Sequence, residues 1–169
     1  MKDGEQFKIF LDLARKLNRK FSVIPLLQGS LGLKMLVEDA DFTPGDIDIA
    51  VPQHLYRFPE RWNDLLSFML KEGYVLTDLH EHILKKDDVE VNFSAIDGDG
   101  GIPSLEVFAD IDVREIPIME NDGAFYKLMT LEQYFKVYSR SLEDNYRADK
   151  SDHKDQKKID ILKKVLNKI

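Results

Sequence analysis

The chain contains no cysteine. That excludes a disulfide framework, a thiolate metal site and a cysteine nucleophile together. It has no apolar run approaching the roughly 20 residues that span a bilayer. Met1-Lys2-Asp3-Gly4-Glu5 also lacks the basic and apolar regions of a signal peptide. The expected location is therefore cytoplasmic, with no membrane partner. Basic residues are in the minority, 24 Lys and Arg against 31 Asp and Glu, giving a net charge of −7. A nucleic-acid binder ordinarily presents a basic face, so this balance argues against nucleic acid as a partner. A small anionic substrate stays open, because a bound divalent cation inverts the local field. Internal repeats and low-complexity tracts are missing as well, which sets aside solenoids and disordered tails.

What is present is an ordinary globular composition. The 169 residues are 43% hydrophobic and 33% charged, enough for one well-buried core and too short for two full domains. One domain over residues 1–169 is expected, with an α/β core over about 1–128 and a helical extension over about 129–169. Phe7, Phe10, Leu11, Ala14 and Leu17 recur at helical spacing and predict a helix from about Glu5 to Lys20. A strand over Val23–Leu27 and a short helix over Ser30–Val37 follow. Pro44-Gly45 marks a turn before a strand over Asp46–Val51, and Pro59 opens a helix that runs to about Glu72 and ends at Gly73. Strands are expected at Tyr74–Leu79, His82–Lys86 and Val89–Ile96, with Lys86-Asp87-Asp88 as a hairpin turn. The stretch Asp97-Gly98-Asp99-Gly100-Gly101 reads as a loop, and Ile102–Ile111 fits either strand or helix. Val113–Met119 and Ala124–Lys127 are expected strands around an Asn121-Asp122-Gly123 turn. Helices over Thr130–Leu142 and Ser151–Lys168 close the chain. This order predicts an α/β (α+β) fold, a mixed twisted β-sheet flanked by helices.

Two short segments carry the chemistry. Gly29-Ser30 sits where an apolar strand turns into a helix, and backbone N–H groups at such a junction bind phosphate. Fifteen residues separate Ser30 from Asp46-Ile47-Asp48. On a strand of period two, both carboxylates face one way and the isoleucines the other. Two carboxylates on one rigid strand suit Mg²⁺, which takes one or two carboxylates together with substrate phosphates and water. In Val89-Glu90-Val91-Asn92-Phe93 the apolar residues take one face and Glu90 with Asn92 the other. If that strand lies beside the first, Glu90 completes a three-carboxylate cluster, either binding metal or accepting the proton of an attacking hydroxyl. A second Asp-x-Asp, Asp110 and Asp112, competes with Glu90 for the role of third acid. Taken singly, an Asp-x-Asp is often a solvated strand face and Gly-Ser a simple turn. Their order and separation together favour function.

These residues resemble the signature of the polymerase-β-like nucleotidyltransferase superfamily: a hydrophobe, Gly, Gly or Ser, then two acids separated by one hydrophobe. The longer spacer is similar to that of the lincosamide and aminoglycoside-type small-molecule antibiotic nucleotidyltransferases. Val89-Glu90-Val91 falls where those enzymes carry a third acid, commonly Asp, so Glu90 is a departure. His153-Lys154-Asp155 resembles the Lys-Asp helix that ends many of them. The resemblance implies the nucleotidyltransferase fold and two Mg²⁺ ions held by Asp46, Asp48 and Glu90. It implies a nucleoside triphosphate, with ATP expected, held by Gly29, Ser30 and Lys154. Its reaction is transfer of AMP to a hydroxyl of a small molecule, with release of pyrophosphate.

Other residues read more plainly. His80 and His82 have strand spacing but no third ligand in an identifiable motif, which points to a hairpin surface. Phe125, Tyr126, Tyr134, Phe135 and Tyr138 follow strand and helix faces; most are expected in the core, with one aromatic free to stack on a base. Asp155, Ile159, Leu162, Leu166 and Ile169 share one helical stripe, whose carboxylate needs backbone N–H groups or a cation if buried. Two rival functions stay open: a non-catalytic antitoxin-like or nucleotide-sensing interaction protein on the same fold, and a nucleotidyltransferase that modifies proteins. A homodimer that walls off an acceptor pocket is compatible with so small a domain.

Overall fold

The computed structural model describes residues 3–98, 104–143 and 154–167. A seven-stranded mixed sheet with flanking helices forms the molecule, as the α+β pattern predicts. Helix α1 (Asp3–Phe21) leads to β1 (Leu26–Gln28), α2 (Gly29–Leu36) and β2 (Ile47–Val51). A single turn α3 (Gln53–Tyr56), helix α4 (Pro59–Lys71), and strands β3 (Val75–Asp78), β4 (Ile83–Lys86) and β5 (Val89–Ala95) follow. Helix α5 (Leu105–Ala109), a 3₁₀ turn (Val113–Glu115), β6 (Ile118–Asn121), β7 (Ala124–Leu128), α6 (Leu131–Glu143) and α7 (Lys154–Val165) complete it. Strand order is β3-β4-β5-β2-β1-β7-β6. Strand β2 runs antiparallel to β1 and parallel to β5, so the chemistry-bearing strands are neighbours at the sheet's centre.

Alternation decides which face each residue takes. Ile47, Ile49 and Val51 are fully buried while Asp48 between them is half-exposed, and Val91 and Phe93 alternate with Asn92 in the same way. The periodic face of α1 packs on β7, where the Phe10 and Tyr126 rings meet edge to face at 5.4 Å. At its far end the Phe21 ring meets Phe68 of α4 at 5.8 Å. Burying ten or more such apolar side chains at roughly 1.5–3 kcal/mol each outweighs any single polar contact in the fold.

Some expectations shift for identifiable reasons. The first strand does not run over Val23–Leu27: Pro25 supplies no N–H, its carbonyl accepts from the Lys127 N–H at 2.8 Å, and regular pairing begins at Leu26. Val113–Met119 is not one strand. Asp112 caps a 3₁₀ turn by accepting from the Arg114 N–H, and β6 starts only at Ile118. Of the ambiguous Ile102–Ile111, Ile102 and Pro103 lie outside the described residues, and Leu105–Ala109 is helix, with the Ser104 hydroxyl accepting from the Val107 N–H as its cap. The turn α3 carried no readable periodicity. The β6–β7 hairpin closes on Asp122 and Gly123, both at positive φ as a two-residue turn of this hand demands. Arg15 of α1 clamps that turn, donating to the Asp122 carbonyl at 2.8 Å.

Helix α7 packs on α6, with Ile159 and Leu162 buried and Asp155 only 6% exposed beside them. The expected stripe holds there, while Ile169 lies outside the described residues. No helix among the described residues is long and apolar enough to cross a membrane.

Candidate functional site

The site is built from the ends of three strands and one helix. Strand β1 ends at Gln28, and Gly29 at φ +68° swings the chain straight into α2. A Cβ there would lie 2.1 Å from Oδ2 of Asp48, so only glycine lets the helix start this close to the carboxylate. The start of α2 and the Asp48 carboxylate thus share one small volume, and the free N–H groups and dipole of that helix end favour negative charge there. Behind the turn stands Tyr134 of α6, 1% exposed, whose hydroxyl donates to the Gly29 carbonyl at 3.1 Å. Its oxygen fills the space beside Gly32, where a Cβ would meet it at 2.1 Å. Burial, then the nearby Tyr138 and Asp48, push the Tyr134 phenol well above its usual range, so it stays a neutral donor.

Asp46 lies just before β2 and Asp48 within it. The parallel register sets Asp48 beside Asn92 and Ile47 beside Val91, so Glu90 comes alongside Asp46. Asn92 joins the pair: its Nδ2 donates to Asp46 Oδ2 at 2.6 Å and to Asp48 Oδ1 at 3.1 Å. The other end of that amide, Oδ1, is buried without a hydrogen-bond partner. The Glu90 carboxylate lies close enough to Asp46 to oppose its ionisation. Burial first, and then Glu90, raise the Asp46 pKa above the ordinary carboxylate value, with the Asn92 amide opposing. Glu90 also has Lys85 of β4 at 3.6 Å, a half-exposed ion pair of small energetic weight. On the same side of the sheet, Gln28 donates to the Ser94 hydroxyl at 2.6 Å across β2.

The structure therefore brings together Gly29, Ser30, Asp46, Asp48 and Glu90, five of the residues the sequence singled out. Among the described residues, no three His, Cys, Asp or Glu side chains converge closely enough to hold a metal by themselves. The acids occur as an Asp46–Glu90 pair and an amide-bridged Asp46–Asp48 pair. The competing acids are engaged elsewhere: the Asp112 carboxylate takes two bonds from the Arg114 guanidinium, and Asp110 ends α5 with a fully exposed side chain 3.9 Å from Lys136. Lys154 opens α7, but its side chain, like His153, lies outside the described residues. His82 packs against α3 and α4 instead of lying on an open hairpin surface: its Nδ1 is 2.7 Å from the Tyr56 hydroxyl and its ring packs on Trp62 at 4.6 Å.

Two members escaped the sequence reading. Asn92 was legible only as a polar residue sharing a face with Glu90; its pairing with Asp48 depends on strand register. Tyr134 had no signal beyond its helical periodicity. A separate cleft of about 870 Å³ lies between α5, the 3₁₀ turn and α6, lined by Phe108, Ile111, Phe135, Lys136 and Arg140 among others, and by none of the carboxylate-site residues.

A mixed-sheet α+β protein with a carboxylate pair under a glycine-opened helix is the class that this fold and site define. The chain is 42% identical over 157 residues to a protein of Bacillus subtilis (strain 168) that bears the description "Uncharacterized protein YnaI", covering 93% of this chain and 95% of that one. It belongs to the same family as YnaI. No family model matches the chain, and no solved structure matches it.

Proposed function

We propose that the protein is a divalent-cation-dependent nucleotidyltransferase that moves a nucleoside monophosphate, AMP from ATP, onto a hydroxyl of a small molecule. The observation that carries this reading is the contact of the α2 start with Asp48, itself bridged to Asp46. Phosphate-binding N–H groups and hard oxygen donors then face one volume. The residues fit a cation of the Mg²⁺ type, since Asp46 and Asp48 offer hard carboxylate oxygens and the Asn92 that bridges them through Nδ2 has its amide oxygen, Oδ1, without a partner.

Asp46 and Asp48 would hold the cation, with Glu90 beside Asp46 as a further carboxylate. When bound, Mg²⁺ supplies charge neutralisation along the triphosphate and at the reacting α-phosphate. Gly29 and Ser30 present the N–H groups of the helix start to the outer phosphates. Glu90 accepts the proton of the acceptor hydroxyl. The hydroxyl oxygen bonds to the α-phosphorus as the bond to the departing pyrophosphate breaks. Tyr134 keeps the glycine turn in place from behind, so the donor is positioned without reorganisation.

The test is incubation of purified protein with Mg²⁺, α-labelled ATP and acceptors that include aminocyclitols, sugars and proteins. Label transfer with stoichiometric pyrophosphate is expected. Transfer that survives unchanged in Asp46→Asn and Asp48→Asn sinks the assignment.

A further inference from the structure

One polar group in the site makes contacts that a nucleotide-binding role for Gly29 and the carboxylates does not explain. Asn92 Nδ2 lies between Asp46 Oδ2 and Asp48 Oδ1, at 2.6 and 3.1 Å, bonding the very oxygens that would hold a cation. An N–H donor and a divalent cation cannot both occupy that position, because each presents positive charge to the same lone pairs. The opposite end of the amide, Oδ1, is buried and accepts nothing. Asn92 cannot retreat as a rigid piece, since β5 is paired on both sides and Asn92 is in register with Asp48 on one and Ile83 on the other. Rotation about the last side-chain bond is the freedom that remains.

We propose that Asn92 is a cation ligand, its amide turning over when a divalent ion binds so that Oδ1 replaces Nδ2 at the carboxylate pair. This rests on the cation-dependent reading above and goes beyond it by naming the third oxygen. The exchange leaves one unpartnered polar atom on the buried side before and after, so it carries no new desolvation there. It also gives the site three oxygens, two anionic and one neutral, where the acids alone do not converge as a triad. Glu90, beside Lys85, then lies outside the inner set and is free to act on a proton. A neutral third oxygen lowers the charge of the donor set, favouring a hard ion brought in with its nucleotide over one held tightly alone.

Mn²⁺ is the probe, its free fraction read by electron paramagnetic resonance on the full chain, with and without a non-hydrolysable ATP analogue. Asn92→Leu keeps the volume and removes the oxygen, and is expected to weaken Mn²⁺ binding by roughly tenfold or more, with the circular dichroism spectrum unchanged. Asn92→Asp restores an oxygen and is expected to bind at least as tightly as the parent. A residue that only orients the carboxylates would lose binding in Asn92→Leu as well, so a second readout is needed. The side-chain amide pair of Asn92, assigned in ¹⁵N-labelled protein by its absence in Asn92→Asp, should move on adding Mg²⁺ as its bonds to the two carboxylates are broken. An amide signal unmoved at saturating Mg²⁺ overturns the proposal, as does Mn²⁺ affinity in Asn92→Leu within twofold of the parent. If Asn92→Leu does not fold, Asn92→Asp and the amide signal decide alone. Failure of the broader reading looks different: the parent then binds no Mn²⁺ that Asp48→Asn abolishes.

Discussion

Gly29 and Asp48 are packed so closely that a methyl group on one would overlap an oxygen of the other, at 2.1 Å. The contact ties the start of a helix to a strand that arrives 19 positions later, and it couples local backbone geometry to the chemistry of the site. Gly29→Ala should therefore do two things. Placing a Cβ at φ +68° costs about 1–2 kcal/mol, and the Asp48 carboxylate must move to admit it. Thermal denaturation should show the loss of stability, and calorimetry should show Mg-ATP binding weakened beyond it. Binding intact in a destabilised protein would separate the turn from the site.

Asp46 is held above the ordinary carboxylate range by burial and by Glu90. Between the usual value of 3.8 and its raised one, the folded state holds a proton that the unfolded state has released. Stability therefore falls as pH rises through that window and stays lower above it. Asp46→Asn removes the cost, and at neutral pH in EDTA its Tm should exceed the parent's by roughly 2–4 °C for each kcal/mol recovered. The same variant should lose any stabilisation by Mg²⁺. A lower Tm in EDTA would show that the carboxylate is worth more as a hydrogen-bond acceptor than its ionisation costs.

Tyr134 and Gly32 compete for one space, the tyrosine oxygen lying 2.1 Å from where an alanine Cβ would sit. Gly32→Ala alone should be strongly destabilising. Tyr134→Phe alone should cost about 1 kcal/mol, the net value of a typical hydrogen bond, here the one to the Gly29 carbonyl. Together the two changes should cost less than their sum, because the missing hydroxyl makes room for the methyl group. Additive urea-denaturation energies would place the clash elsewhere, for instance on the Leu27 carbonyl at 3.0 Å.

His82 packs against Tyr56 and Trp62, and burial depresses its pKa below the usual 6.5. The unfolded chain takes up the proton first as pH falls, so this contribution is full above 6.5 and is lost as pH drops through the depressed folded value. His82→Gln should flatten the stability profile across that range, measured by urea midpoints at successive pH values. An unchanged slope would assign it to another group.

Much of the site was readable in one dimension because strands alternate. Asp46, Asp48 and Glu90 could be placed on polar faces from their apolar neighbours, since Ile47, Ile49, Val91 and Phe93 had to be inside. Gly29-Ser30 was readable because a turn of that sharpness needs glycine. Pro25 was misread as strand although its missing N–H was visible, because the apolar run around it was the stronger signal. The 3₁₀ turn at Val113–Glu115 was missed because Asp112 caps it by a local bond that competes with extended structure.

By itself, then, the sequence determined the fold class and the polar and apolar faces of each central strand, and it singled out Gly29, Ser30, Asp46, Asp48 and Glu90, all consequences of periodicity and backbone sterics within a few residues. Only the tertiary structure decided which of those residues meet. Strand order set β5 beside β2, and register put Asn92, not Glu90, between the two aspartates. Tyr134 reached Gly29 from 105 residues away. Such contacts depend on how whole elements pack, and no local pattern along the chain encodes them.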